Sequence, residues 1–264
     1  MYAFEYKKVS SLDEAQQAFD SADDGTFMAG GMTLVPTLKQ RLAMPSDVID
    51  LGGIDGLCGI SVDGDTVTIG AMTCHADVAA SEDVQKAIPA LAHLASLIGD
   101  PQVRNRGTIG GSIANNDPAA DYPGALVGLG ATVHTTKKEI AADDFFTDLF
   151  ETALEEGELV TKVTFPVPDA AAYRKFPNPA SRYSVVGAFV AKTKYGIRVA
   201  ITGAGPTVFR VNEMEQALTS SFTADAIADI SVPADNLNGD LHATAEYRAH
   251  LIGVMAKRAI ADCG

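Results

Sequence analysis

The sequence predicts an α+β protein built from two units, and three observations carry that expectation. Apolar residues switch repeatedly between the alternation of strands and the three-and-four spacing of helices. The segment 166–172 (PVPDAAA) is rich in Pro and Ala and reads as a linker between a larger amino-terminal part and a shorter α+β tail. Two Gly-Gly pairs, Gly30-Gly31 and Gly110-Gly111, stand where the chain turns sharply ahead of a helix. A chain of 264 residues has room for one large domain or two modest ones.

In chain order, residues 4–9 read as a short strand. Residues 11–19 read as a helix, with Ser10 or Ser11 as cap and Leu12, Ala15 and Phe19 on one face. Residues 26–29 form a strand that runs into Gly30-Gly31. Helical spacing of Leu34, Leu38 and Leu42 follows over 33–42, with Pro36 in the first turn, where a missing N–H costs little. Residues 48–51 complete a β-α-β-α-β run. A hairpin over 59–62 and 66–70 is marked by Asp63-Gly64. Helices are expected at 74–81 and 84–98, with Pro89 starting or kinking the second. Residues 103–112 read as irregular and Gly-rich. A helix at 122–129, a strand at 131–136, a short helix or turn at 145–150 and a strand at 159–165 close the larger part. Strands at 184–194 and 196–204 and helices at 213–218, 223–230 and 243–260 make up the tail.

Composition excludes several functions. With 34 acidic and 20 basic side chains the net charge is −14, so the chain lacks the basic face that a nucleic-acid binder needs. Hydrophobic residues make up 47% but never gather into the ~18-residue apolar run of a transmembrane helix. The amino terminus lacks the basic-then-apolar pattern of a signal peptide, so a cytoplasmic location is expected. Cys58, Cys74 and Cys263 lie far apart without a CxxC pair, and cannot supply the four thiolates of an iron–sulfur or structural zinc site. The five histidines show no ligand spacing, and no metal is expected.

Chemistry concentrates in two segments. Ala29-Gly30-Gly31-Met32-Thr33 joins a strand to a helix. Glycines there let backbone N–H groups face a ligand without an intervening side chain, and the helix amino terminus adds partial positive charge. Thr108-Ile109-Gly110-Gly111-Ser112 has the same grammar, and a helix is expected after it, near Asp117-Pro118. Two such backbone nests suit the two phosphates of one dinucleotide and need few cations. Neither matches the GxGxxG fingerprint, and no Lys follows the glycines as in a P-loop.

Three runs carry a family resemblance: AGGMTLVPTLKQRLAMPSDVIDLGGIDGL, QVRNRGTIGGSIANNDPAADYPGALVGLGA and DFFTDLFETALEEGELVTKVTFPVP. In this order and register the chain resembles, over essentially its whole length, the FAD-binding subunit of molybdenum-containing hydroxylases. The type is that of the medium subunit of aerobic carbon monoxide dehydrogenase, which shares its architecture with the flavin domain of xanthine dehydrogenase. The resemblance implies a two-subdomain FAD-binding fold of the vanillyl-alcohol-oxidase (PCMH) type over 1–168, with subdomains of about 1–55 and 56–168, and a small carboxy-terminal α+β domain over 173–264. It implies that Ala29, Gly30, Gly31, Met32 and Thr33 form one wall of the FAD pyrophosphate site, and Thr108, Ile109, Gly110, Gly111 and Ser112 the other. Asn116 and Asp121 match positions close to the flavin and its ribityl chain. Tyr183 resembles the aromatic residue that covers one face of the isoalloxazine, and Lys175 lies in the same approach segment without an assigned role. Many relatives carry a polar residue and serine where this chain has Met32-Thr33, and asparagine or aspartate at Ser112.

The resemblance further implies non-covalent FAD and no catalytic acid or base in this chain. The partners would be a large subunit with the molybdenum cofactor and a small subunit with 2Fe–2S clusters, in a dimerised heterotrimer. Electrons would pass from molybdenum through the clusters to FAD and on to an external acceptor such as a quinone. Two other readings stay open: a free-standing flavin oxidoreductase of the same fold, and a flavin-free assembly subunit.

Overall fold

The computed structural model describes residues 1–263. The chain begins with β1 (Glu5–Lys8), α1 (Leu12–Asp20), β2 (Gly25–Met28), α2 (Leu34–Lys39) and β3 (Asp47–Asp50). β3 lies between β1 and β2 and is parallel to both, as the β-α-β-α-β pattern requires. Helix α1 is capped reciprocally. Ser11 Oγ accepts the Glu14 N–H at 3.1 Å, and the Glu14 carboxylate accepts the Ser10 N–H at 2.7 Å.

β4 (Ile60–Asp63) and β5 (Thr66–Gly70) form the expected hairpin, with Gly64 at φ 54° in its turn. Then come α3 (His75–Ala80), α4 (Glu82–Ala87), α5 (Pro89–Ser96), α6 (Pro101–Arg104), α7 (Ile109–Asn115) and α8 (Tyr122–Leu129). The helix expected over 84–98 is two helices, because Ile88 (φ −139°, ψ 73°) precedes Pro89, and a residue before proline is pushed out of the α region. The stretch read as irregular, 103–112, carries the last two residues of α6 and the first four of α7.

β6 (Thr132–Thr135), β7 (Glu139–Ala141), α9 (Ala142–Phe145), β8 (Phe146–Asp148), β9 (Glu151–Thr152) and β10 (Val160–Pro166) complete this part. An antiparallel sheet runs in the order β4-β5-β10-β6-β7, while β8 and β9 pair separately as a small hairpin.

The remainder is β11 (Ala170–Pro177), β12 (Ser184–Thr193), β13 (Gly196–Thr202), β14 (Phe209–Arg210), α10 (Asn212–Ser220), a 3₁₀ turn at Ala224–Ile227 and α11 (Ala245–Asp262). The four strands form one antiparallel sheet in sequence order. The segment read as a linker is mostly sheet: β10 continues through Pro166 and β11 starts at Ala170. The helix expected over 223–230 shortens to the 3₁₀ turn.

Helix α8 sets the position of the parts. All of its residues are buried, and it packs on β12 and β13. A Cβ at Gly128 would lie 2.6 Å from the Phe189 ring, so glycine is what lets helix and sheet approach. β12 is buried on both faces, under α8 on one side and α11 on the other, which explains its unbroken apolar run. One core therefore takes in Val67, Phe165 and Tyr122 together with Tyr173, Phe189 and Ala200 from the last sheet.

Candidate functional site

The two Gly-rich segments meet. Gly30 lies so close to the backbone of Arg106 and Gly107 that a Cβ there would fall 1.9 Å from the Arg106 carbonyl oxygen. A Cβ at Gly111 would lie 3.3 Å from Ala29 Cβ. Gly31 adopts φ +74°, a left-handed conformation that reverses the chain ahead of α2. Ala29, Gly30 and Gly31 are half-buried, and Met32 and Thr33 are exposed.

Their backbone donors differ sharply. Among the described residues, the N–H groups of Gly30, Gly31, Met32, Thr33 and Leu34 meet no protein acceptor. A right-handed and left-handed succession of unpaired N–H groups is an anion-binding concavity. In the second segment the donors are already engaged. Ile109 N–H donates to Thr73 O at 3.1 Å, Gly110 N–H to Ala71 O at 2.8 Å and Gly111 N–H to Thr108 Oγ1 at 3.1 Å. Thr108 is the N-cap of α7, so Gly110 and Gly111 lie in the first turn of that helix, not ahead of a later one. Ile109 and Gly110 are buried, whereas Gly111 and Ser112 reach the surface. A Cβ at Gly110 would sit 2.6 Å from Ala71 Cβ, which explains glycine in a helical turn it otherwise disfavours.

Asn116 closes α7 in a left-handed conformation (φ 41°) and is fully buried. Its Nδ2 donates to Asp148 O at 2.8 Å and Glu151 O at 2.7 Å, tying α7 to the β8–β9 hairpin, while its Oδ1 has no partner among the described residues. Asp121 is the N-cap residue of α8 but does not cap with its side chain. Its carboxylate accepts the Tyr173 hydroxyl, the Ser184 hydroxyl at 2.9 Å and the Lys175 ammonium at 3.0 Å. The Lys175 and Asp121 side chains are 3% and 4% exposed. Burial pushes the Asp121 carboxyl up, and the Lys175 charge and the donated hydrogen bonds oppose that push.

Tyr183 begins the approach to β12 and is 43% exposed. The next residue, Ser184, donates its N–H to Ala119 O at 3.1 Å, so Tyr183 stands beside the 117–121 segment. Burial, then the Asp117 and Asp121 carboxylates, raise its hydroxyl above the ordinary tyrosine range. The structure therefore brings the two Gly-rich segments into contact and sets Tyr183 next to Asp117 and Asp121, with Asn116 one helix length from Thr108.

Sequence reasoning missed Tyr173 and gave no role to Lys175, the two neighbours that hold these groups. Tyr173 and Lys175 are two residues apart on β11 and share a face, a signal hidden when the segment's start was read as linker. It also missed His75 and Tyr122, whose rings lie 5.4 Å apart behind Gly107. His75 Nδ1 and the Tyr122 hydroxyl lack partners among the described residues, and burial, then the Arg104 charge, holds the His75 pKa down at about 4.

Known proteins resemble this chain in sequence and in fold. The model of the FAD binding domain in molybdopterin dehydrogenase matches residues 2–168, and that of the CO dehydrogenase flavoprotein C-terminal domain matches 171–263. The carbon monoxide dehydrogenase medium chain of Hydrogenophaga pseudoflava is 36% identical, over 97% of this chain and 96% of that one. The nicotine 6-hydroxylase medium subunit of Paenarthrobacter nicotinovorans is 32% identical, over 99% and 98%. The solved carbon monoxide dehydrogenase of H. pseudoflava superposes with a TM-score of 0.90, covering 99% of this chain and 97% of the matched one. The backbone cradle also fits a dinucleotide in its donors: among the described residues, the N–H groups of Gly30 to Leu34 stand in a row without a protein acceptor. With both family models matched in order over nearly its whole length, the chain belongs to the FAD-binding medium subunits of the molybdenum hydroxylases.

Proposed function

We propose that this chain is the electron-transfer flavoprotein subunit of a molybdenum hydroxylase of carbon monoxide dehydrogenase type. It would work beside a large subunit with the molybdenum cofactor and a small subunit with 2Fe–2S clusters, in the cytoplasm. The observation that carries the reading is the row of unpaired N–H groups from Gly30 to Leu34 set against the capped start of α7. Bound there, FAD supplies the redox chemistry between one-electron donors and an external acceptor.

The chain's own residues bind and orient. Ala29, Gly30, Gly31, Met32 and Thr33 furnish donors to the pyrophosphate, and Thr33 adds a hydroxyl. Thr108, Ile109, Gly110, Gly111 and Ser112 form a rigid opposing wall, of which Gly111 and Ser112 reach the ligand. Asn116 and Asp121 support the flavin end as buried anchors, and Tyr183 lies against one face of the ring. Relatives named for carbon monoxide and for nicotine match over the same length, which supports a substrate chosen by the molybdenum-bearing partner. The division into an FAD-binding domain over 1–168 and a second domain over 173–264 belongs to this reading.

The test is to purify the chain alone and with candidate molybdenum and iron–sulfur partners. Expected are a yellow chain that turns over no substrate alone, and a complex whose substrate bleaches the flavin absorbance. A colourless chain that takes up no added FAD, or turnover by the isolated chain, overturns the proposal.

A further inference from the structure

The buried Lys175–Asp121 pair has a geometry that singles out one neighbour. Lys175 Nζ donates to three acceptors: Leu97 O at 3.0 Å, Asp121 at 3.0 Å and Arg182 O at 2.7 Å. Asp121 in turn accepts the Ser184 hydroxyl at 2.9 Å. Arg182 and Ser184 are the two residues that flank Tyr183. Arg182 is held at φ 64°, a conformation most residues avoid without support. Its Asn178 accepts the Arg182 N–H and donates its own N–H to Tyr183 O, both at 2.8 Å, closing the loop on itself without fixing it to the body of the protein. The outer ties to other segments are those through Lys175 and Asp121, the Tyr173 hydroxyl 3.0 Å from Ser184 Oγ, the Ser184 N–H bond to Ala119 O, and a 3.2 Å bond from the Arg182 guanidinium to Gly99 O.

We infer that the Lys175–Asp121 pair is a positioning device for Tyr183, gripping the chain on both sides of that residue so that its ring is held in place over the flavin site. The inference rests on the reading that Tyr183 lies against the flavin, but the grip itself is a separate claim. A charged pair suits the task. All three Lys175 protons are spent on acceptors from three segments: the end of α5, the start of α8 and the β11–β12 loop. A buried ammonium whose donors are all engaged fixes those segments relative to one another more firmly than one neutral bond. Tyr183 itself makes no side-chain hydrogen bond among the described residues, so its position is inherited from its neighbours.

The test uses the full chain loaded with FAD. Removing Lys175 alone would strand the Asp121 charge, so the working variant is the double substitution Lys175→Met with Asp121→Asn, which keeps the site neutral. Lys175→Arg is the conservative comparison. Hydrogen exchange is followed over 178–184, and flavin fluorescence and reoxidation are compared with those of Tyr183→Ala and of the triple variant. Exchange over 178–184 should rise at least tenfold in the double variant while β12 and α8 keep parent rates, and the double variant should reproduce the flavin changes of Tyr183→Ala. Adding Tyr183→Ala should then change the flavin no further. Parent-like exchange over 178–184, or effects of the pair and of Tyr183 that simply add, overturn the inference. Faster exchange with a silent Tyr183→Ala would leave the grip standing and overturn the placement of Tyr183 on the flavin. If the double variant does not fold, Lys175→Arg decides by the same exchange readout, since a longer planar donor fork does not reproduce the three-way grip.

Discussion

Gly30→Ala tests whether the contact between the two Gly-rich segments is what makes the cofactor site. The added methyl would fall 1.9 Å from the Arg106 carbonyl oxygen, 2.6 Å from its carbon and 3.0 Å from Gly107 Cα. These are backbone atoms and cannot rotate aside. To recover an ordinary 3.4 Å contact, one segment must retreat by about 1.5 Å from its present 1.9 Å. A donor set about 2.9 Å from a phosphate oxygen would then stand beyond hydrogen-bond range. Each such bond to a charged group is worth about 1.5–3 kcal/mol, so losing two costs ~3–6 kcal/mol. At about 1.4 kcal/mol per tenfold, FAD binding should weaken at least ~100-fold. The fold should lose only the ~1–3 kcal/mol typical of overpacking. Gly253→Ala is the control: no atom lies within 4 Å of its added Cβ and it sits inside α11, so it should stabilise the chain by ~0.5–1 kcal/mol and leave FAD binding alone. The assay is equilibrium titration of the apoprotein with FAD, with urea unfolding in parallel. Parent-like FAD affinity in Gly30→Ala would refute the argument, because the segments would then have room that this geometry denies.

Three further outcomes follow from other parts of the site. His75 has a folded-state pKa of about 4, below its ordinary 6.5, so the unfolded chain binds the proton more readily. Stability is therefore complete above about pH 6.5 and falls as pH drops toward 4, by ~2.5 kcal/mol at pH 4.5. Urea midpoints of the parent should show this loss and those of His75→Gln should not, and equal acid sensitivity would remove His75 from the explanation. Thr108→Val deletes the acceptor of the Gly111 N–H and should cost ~1 kcal/mol in urea unfolding, and an unchanged midpoint would mean that the cap adds nothing. FAD affinity should hold or rise slightly with added salt, because the chain's field at −14 repels an anion while the local donors are neutral. A steep loss of affinity with salt would instead indicate a site built on Lys and Arg.

The sequence made the regular elements legible where local signals agreed with the final environment. Ser11 and Glu14 form a cap that any reading finds, and Asp63-Gly64 dictates its hairpin. Two misreadings have a common physical cause. Glycines at 110 and 111 argue against helix, yet close packing on Ala71 and capping by Thr108 outweigh that propensity. PVPDAAA argues for a linker, yet its last residues become strand because β12 presents a complementary register, Ala170 opposite Lys192 and Ala172 opposite Val190. In both cases tertiary contact decided. The candidate site was legible as two Gly-Gly pairs, but the difference in their hydrogen bonding was not. Nothing local tells that Gly110 N–H is taken by Ala71 O, or that Asp121 pairs with a lysine 54 residues away.

On the proposed placement of FAD, that difference explains how an acidic chain is suited to hold a dianionic pyrophosphate. A helix start attracts anions only while its N–H groups are unpaired, and α7 has spent its own on Thr73, Ala71 and Thr108. What it offers instead is rigidity: a capped turn that Ala29 meets at Gly111, with Gly30 packed on the Arg106–Gly107 backbone just ahead of it. The first segment keeps its donors unpaired and relies on that wall to hold them in one conformation. Fixed dipoles lose little on binding because they are already oriented, whereas a lysine would have to be ordered and would draw on nearby carboxylates. The acidic excess can then lie on the outer surface without acting on the cradle, since exposed charges more than about 8 Å away are largely screened at physiological salt. On this argument the glycines at 30 and 111 matter less for flexibility than for proximity, and the affinity of the site should follow the distance between the two segments more closely than the net charge of the chain.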